Sequence, residues 1–188
     1  MWITNFTHKI ENWAAESEIV YKLAEGYYQN VIDREVTLAN VQSDDHILCI
    51  GGGLCPFSGI LFHQKTGARV TVIDNNPACI PKAQRVIDYL GLDRYVKIHC
   101  QDGADISYDE YSIIHFALQV RPMDYVFSQV EKRAVPGTKL LVRLPKKCLD
   151  GMYSRLVGPI AARCPYTTHN KLRSIGSTML YIKKVYVA

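Results

Sequence analysis

Ile19, Leu23, Tyr27 and Val31 recur at every fourth position, and Val20 and Ala24 widen the same stripe. That period predicts an amphipathic helix within the first forty residues. Ser17 is placed to cap it, and Glu16 and Glu18 suit its positive end. Gly26 lies inside the pattern and weakens it slightly. Ser43-Asp44-Asp45 then makes a polar break. Beyond it, short apolar runs alternate with helical patterns. Ile47 to Ile50 reads as a strand that runs into glycines, and Pro56 to Lys65 as a helix with Pro56 in its first turn. Val70 to Ile73 is a second strand. The helix after it ends at Gly91, with Asn76-Pro77 and Pro81 competing for its start. Strands follow at Val96 to Cys100 and Ile113 to Leu118, then a helix at Met123 to Arg133. Pro136-Gly137 turns the chain into a fifth strand, Lys139 to Arg143.

The last quarter has a different rhythm. Asp150 to Arg163 fits a helix, and Tyr166 to Leu172 and Ser177 to Val187 fit strands around a turn at Ile175-Gly176. Strand–helix repetition with short links implies a parallel sheet covered on both faces, because parallel neighbours need crossovers. The expected fold is α/β: an open, doubly wound, mostly parallel sheet closed by an antiparallel C-terminal hairpin. Residues 1–188 form one domain in this reading. Residues 1–42 are a leading helical lid, 46–145 the ligand-binding core, and 146–188 a C-terminal helix and hairpin.

Composition agrees and adds one feature. The chain has 188 residues, 48% apolar and 21% charged, which excludes a disordered or collagenous protein. Residues 1–80 hold 5 basic and 9 acidic side chains, whereas residues 132–188 hold 12 basic side chains and the single acid Asp150. That split hints at an anionic partner near the C-terminal third; a solvated lysine-rich face is the competing explanation. The six cysteines are scattered without a C-x-x-C pair, and Met1-Trp2-Ile3-Thr4 does not open a signal peptide. The uncharged stretch Ile47 to Gln64 is interrupted by glycines and a proline, so it reads as strand, turn and helix and not as a membrane span. A reduced, cytoplasmic protein without a membrane anchor is expected. His63, His99 beside Cys100, and His169 show no ligand spacing, so no metal is expected.

In doubly wound sheets ligands bind at the carboxyl ends of the strands where the order reverses. After the first strand stands Gly51-Gly52-Gly53-Leu54-Cys55-Pro56-Phe57-Ser58-Gly59. No Gly-Lys-Ser/Thr follows, which excludes a P-loop. A dinucleotide fingerprint fits poorly, because Pro56 occupies its third glycine position. The second strand ends at Asp74, followed by Asn75; a carboxylate there can accept from two ribose hydroxyls, or can cap a helix. After the third strand comes Gln101-Asp102-Gly103-Ala104, which can bond an adenine amino group or form an ordinary turn.

A glycine loop after strand one, an acid after strand two and an acid after strand three resemble the class I S-adenosylmethionine-dependent methyltransferases. The resemblance runs from about Ile47 to Arg143. Ile50-Gly51-Gly52-Gly53-Leu54-Cys55-Pro56-Phe57-Ser58 is most similar to the loop of nicotianamine synthases, a Gly-x-Gly before a proline-containing run. The resemblance implies a Rossmann-like methyltransferase sheet and S-adenosyl-L-methionine as cofactor. It places the cofactor against Gly51, Gly52, Gly53, Leu54, Cys55, Pro56, Asp74, Asn75, Asp102, Gly103, Ala104, Ala117 and Gln119.

The reaction this implies is methyl transfer to a small-molecule acceptor. Nicotianamine-synthase-like aminocarboxypropyl transfer and a non-catalytic cofactor-binding module are the alternatives. The sulfonium is already activated, so the protein mainly has to align the reactants. His115 is the candidate base, against the competing reading of a hydrogen-bonded core histidine. Tyr27 on the leading helix is the candidate for meeting the sulfonium with its ring face, worth about 0.5–2 kcal/mol; Tyr21 and Tyr28 neighbour it, and simple packing competes. The Asn/Asp-Pro-Pro-aromatic motif of nucleobase amino-methyltransferases is missing after strand four. Nucleic acid is therefore disfavoured as acceptor, an anionic small molecule is expected, and self-association stays open.

Overall fold

The computed structural model describes residues 18–154, 156, 163–170 and 174–184. Helix α1 spans Glu18–Ala39 and ends at Asn40, whose positive φ of 47° lets the chain turn out of the helix. The Ser17 cap and the first part of the lid lie outside the described residues. Strands β1 (His46–Ile50), β2 (Arg69–Asp74), β3 (Val96–Cys100), β4 (Ile113–Phe116) and β5 (Lys139–Pro145) follow. Helices α2 (Phe57–Thr66), α3 (Ile80–Tyr89) and α4 (Met123–Arg133) connect them. Strands β6 (Tyr166–Thr168) and β7 (Ile175–Ile182) complete one seven-stranded sheet in the order β3-β2-β1-β4-β5-β7-β6. The first five strands pair in parallel; β7 is antiparallel to β5 and to β6.

The strands read as continuous apolar runs because both faces are covered. On one face Ile47, Cys49 and Val72 pack against Ile32 of α1 and Leu61 and Phe62 of α2. On the other, Leu48, Ile50 and Phe116 pack against Met123, Val126, Phe127 and Val130 of α4. The close helix–strand contact that a dinucleotide fold builds with its third loop glycine is supplied here by Gly59. A Cβ on Gly59 would lie 2.6 Å from Val72 Cγ2.

The strand order reverses between β1 and β4, so a cleft opens where the loops after these parallel strands diverge. Two C-terminal expectations are corrected. The helix expected from Asp150 does not start there: Lys147–Met152 is a short 3-10 helix and Tyr153 is extended. Residues 155 and 157–162 of that segment lie outside the described residues. The expected turn at Ile175-Gly176 is instead the start of β7, which pairs with β5 across a register shift at Leu144/Pro145. Among the described residues no helix is long and apolar enough to cross a membrane.

Candidate functional site

The loop leaving β1 folds back on the end of β2. Gly51 and Gly53 take φ of 86° and 63°, a region open to glycine at little cost. The amides of Gly51 and Gly52 both donate to the Ile73 carbonyl, at 2.9 and 3.1 Å. Gly53 N then donates to Asp74 Oδ2 at 2.7 Å, and Asn76 N donates to Asp74 Oδ1 at 2.9 Å. Asp74 is thus an oriented carboxylate with a lone pair left on each oxygen. It does not cap the next helix, whose N-cap position is Cys79.

Below this loop lies a cavity of about 370 Å³. Gly51, Gly52, Gly53, Cys55, Pro56, Asp74, Asn75, Asp102, Gly103, Ala117 and Gln119 all line it. Asp102 Oδ1 accepts from Ala104 N at 2.8 Å, and the Gly103 carbonyl accepts from the Tyr108 hydroxyl at 2.5 Å. Leu54 and Ala104 do not form part of the cavity wall. Leu54 is turned into the protein, and Ala104 is buried with its carbonyl taken by the Arg133 guanidinium.

On the far side of β1 the wall is made by α1, the start of α2, β4 and β5. Tyr28, not Tyr27, reaches the cavity. The Tyr27 hydroxyl instead accepts from Ser174 N at 3.1 Å, and its ring meets the Tyr28 ring edge-on at 5.0 Å. Helix rotation is the reason: adjacent helical residues point about 100° apart, so one tyrosine faces the hairpin and the next the cleft. Tyr28 stacks on Phe57 with centroids 5.6 Å apart, and the Arg143 guanidinium lies 5.6 Å from the Tyr28 ring centre. The Tyr21 side chain lies outside the described residues.

Beneath Tyr28 is a buried charge cluster that the sequence pattern did not announce as a site. Glu35 of α1 and Arg143 of β5 form a two-pronged pair, Nε to Oε1 and Nη2 to Oε2, each at 2.8 Å. Arg143 Nη1 also donates to Ser58 Oγ at 2.9 Å, and Thr178 Oγ1 donates to Glu35 Oε1 at 2.7 Å. The β5–β7 register, with Arg143 opposite Thr178, puts both partners within reach of Glu35. Burial alone would raise the Glu35 carboxyl; Arg143 first, then His115, overcome it and hold Glu35 well below the usual carboxylate range. Glu35 is therefore a poor proton acceptor.

His115 is fully buried, edge-on to Phe62 at 5.4 Å, yet it reaches the cavity wall. Its Nε2 lies 3.5 Å from Glu35 Oε2, too long for a full hydrogen bond, and neither ring nitrogen has a hydrogen-bond partner. His115 is thus a core histidine facing the Glu35 carboxylate that also borders the cavity. Burial and the Arg143 charge lower its pKa more than Glu35 raises it, so the ring is neutral and one nitrogen lone pair is available. Burial pushes the Cys49 thiol on the same wall up to about 12, which excludes a thiolate there at neutral pH. Among the described residues no group of three His, Cys, Asp or Glu is placed to hold a metal.

The fold is similar to that of known proteins. MtNAS, a nicotianamine synthase solved in complex with S-adenosylmethionine, superimposes with a TM-score of 0.83 at 19% identity, covering 98% of this chain and 76% of that one. An RNA methyltransferase from Salinibacter ruber, solved with S-adenosyl-L-homocysteine, gives 0.65 at 17% identity, covering 85% of this chain and 94% of that one. The architecture is a methyltransferase-like α/β fold. No family model matches the sequence. Among curated proteins, L-histidine 2-aminobutanoyltransferase of Yersinia pestis is 29% identical over 70 residues, 37% of this chain. The match spans only 26% of that protein's length.

Proposed function

We propose that the chain binds S-adenosylmethionine and transfers a carbon group from its sulfonium to a small-molecule acceptor. The observation that carries this reading is Asp74, fixed by Gly53 N at 2.7 Å under the glycine loop with acceptor capacity left on both oxygens. The residues present fit the cofactor. Asp74 suits two ribose hydroxyls, Asn75 borders the base, and Asp102 with Gly103 suits an adenine edge. The positive-φ glycines keep the loop low enough to cover the ligand.

When bound, S-adenosylmethionine would supply an electrophilic carbon, the acceptor's lone pair bonding to it as the carbon–sulfur pair passes to sulfur. The acceptor's surplus proton then has to leave. Neutral His115 is the group on this wall with a lone pair for it, whereas Glu35 is held ionised by Arg143. Tyr28, Ser58 and Arg143 enclose the acceptor side and keep water out of the line of attack.

Aminocarboxypropyl transfer is the reading favoured by the loop Gly51 to Ser58, by MtNAS, also solved with MTA and tNA, and by the 2-aminobutanoyltransferase of Yersinia pestis. Methyl transfer is the second reading. It is favoured by the RNA methyltransferase and by a geranyl diphosphate methyltransferase that matches with a TM-score of 0.54. The by-product separates them. Purified protein with S-adenosylmethionine and a panel of small amines headed by L-histidine is expected to release 5′-methylthioadenosine; S-adenosylhomocysteine would instead establish methyl transfer. Calorimetry is expected to show nucleoside binding that Asp74→Ala weakens by about tenfold or more, from loss of charge-assisted hydrogen bonds. Absence of binding at millimolar ligand would refute the cofactor reading.

A further inference from the structure

We propose that Arg121 is the carboxylate-reading residue of this cavity, a specificity determinant that rests on the cofactor reading above. Among the described residues two arginines, Arg121 and Arg143, line the cavity. Arg143 is neutralised by its two-pronged contact with Glu35 and spends Nη1 on Ser58. Arg121 has no carboxylate within ion-pair distance among the described residues. Among the described residues its hydrogen-bond partner is the neutral Met152 carbonyl, reached from Nη2. A guanidinium carries five N–H donors in a planar fork, so most of its donors stay unspent beside the cavity.

Position strengthens the argument. Arg121 follows β4, whereas Asp74 ends β2 and Asp102 follows β3 on the other side of β1. The separation from β2 to β4 is two strand spacings, about 10 Å. The cavity is therefore polarised, with acceptors for hydroxyl and amino hydrogens at one end and an uncompensated cation at the other. The Arg121 loop is also held still. Met123 N donates to Ser154 Oγ at 2.8 Å, so this loop is tied twice to the segment after β5. A fixed fork loses little entropy when it binds a carboxylate in two-pronged fashion.

A carboxylate reaches this position from either of two sources: the amino-acid tail of S-adenosylmethionine, or an α-amino-acid acceptor. The test measures binding to wild type, Asp74→Ala and Arg121→Met, with the thermal midpoint of each variant as a check on folding. S-adenosylhomocysteine is compared with 5′-methylthioadenosine, which lacks the tail. L-histidine is then compared with histamine on protein saturated with 5′-methylthioadenosine. If the tail carries the contact, Arg121→Met weakens S-adenosylhomocysteine about tenfold and leaves 5′-methylthioadenosine unchanged. If the acceptor carries it, the variant loses the preference for L-histidine over histamine, and Arg121→Lys regains part of it. Asp74-dependent nucleoside binding with both preferences unchanged in Arg121→Met overturns the inference and leaves the cofactor reading intact. Wild type that binds no nucleoside overturns both.

Discussion

At the β2 and β3 end of the cavity, Asp74 and Asp102 are held by backbone amides: Asn76 and Ala104, each two residues on, and Gly53 of the adjoining loop. At the β4 and β5 end, Glu35 meets Arg143 across 108 residues and Thr178 across 143. The first arrangement is local, partly solvated and built from turns. The second is buried, made of side chains from a helix and two strands, and exists only once the sheet is assembled. Under the proposed function, a nucleoside half built mostly on backbone would tolerate change around it, whereas an acceptor half built on a charge pair would tie binding to folding. The two halves should therefore fail differently.

The largest expected effect falls on the buried pair. Glu35→Gln leaves the Arg143 cation buried without its counter-charge, which costs about 3–5 kcal/mol. Urea unfolding should show this as a lower midpoint at unchanged slope. Replacing both partners, Glu35→Leu with Arg143→Met, removes the uncompensated charge and should recover most of the loss. The double variant is then expected to bind nucleoside almost as wild type while losing acceptor turnover. A single-variant cost below about 1 kcal/mol would mean that the pair is solvated and that the contrast between the halves is wrong.

The same contrast explains what could be read from the chain alone. The glycine loop and Asp102 follow their strands directly and Asp74 ends its own, so their order and spacing point to the fold and to residues that line one end of the cavity. Glu35 left a trace that is clear only afterwards: it is the next position of the stripe Ile19, Leu23, Tyr27, Val31, and Arg143 interrupts the apolar run of β5. Each looks like a local irregularity until topology brings the two together. Tyr27 and Tyr28 differ by one residue, and periodicity places elements better than it fixes helix rotation. Leu54 and Ala104 were drawn in with their motifs, although the loop geometry turns them away from the cleft. The C-terminal segment was least legible, because the bulge at Leu144/Pro145 has no signature distinguishing it from a turn.

A smaller effect tests the state of His115. Its pKa in the folded protein lies below the ordinary value of 6.5, first through burial and then through Arg143. The unfolded chain therefore takes up a proton that the folded chain refuses. This contribution to stability is fully present above pH about 6.5 and is lost as pH falls below it, at up to about 1.4 kcal/mol per pH unit. His46 is lowered as well, so the informative quantity is the difference between wild type and His115→Gln. That difference should shrink between pH 7 and pH 5, as followed by urea midpoints. Parallel curves would show that His115 titrates alike in the folded and unfolded chain, and a difference that grows toward low pH would show it protonated in the folded protein; either would remove the neutral proton acceptor.

The smallest effect separates the adjacent tyrosines. Tyr27→Phe removes a hydroxyl that accepts from Ser174 N at 3.1 Å and lies 3.4 Å from Ser174 Oγ. The expected cost is about 1 kcal/mol of stability, the net worth of an ordinary hydrogen bond. Turnover per folded molecule should stay within about twofold, because the ring itself still supports Tyr28 edge-on. Tyr28→Leu, by contrast, removes the aromatic surface stacked on Phe57 at the cavity wall and should lower turnover more than stability. A Tyr27→Phe variant of unchanged stability but abolished turnover would reverse the assignment. It would put the Tyr27 hydroxyl at the reacting atoms and leave Tyr28 as packing.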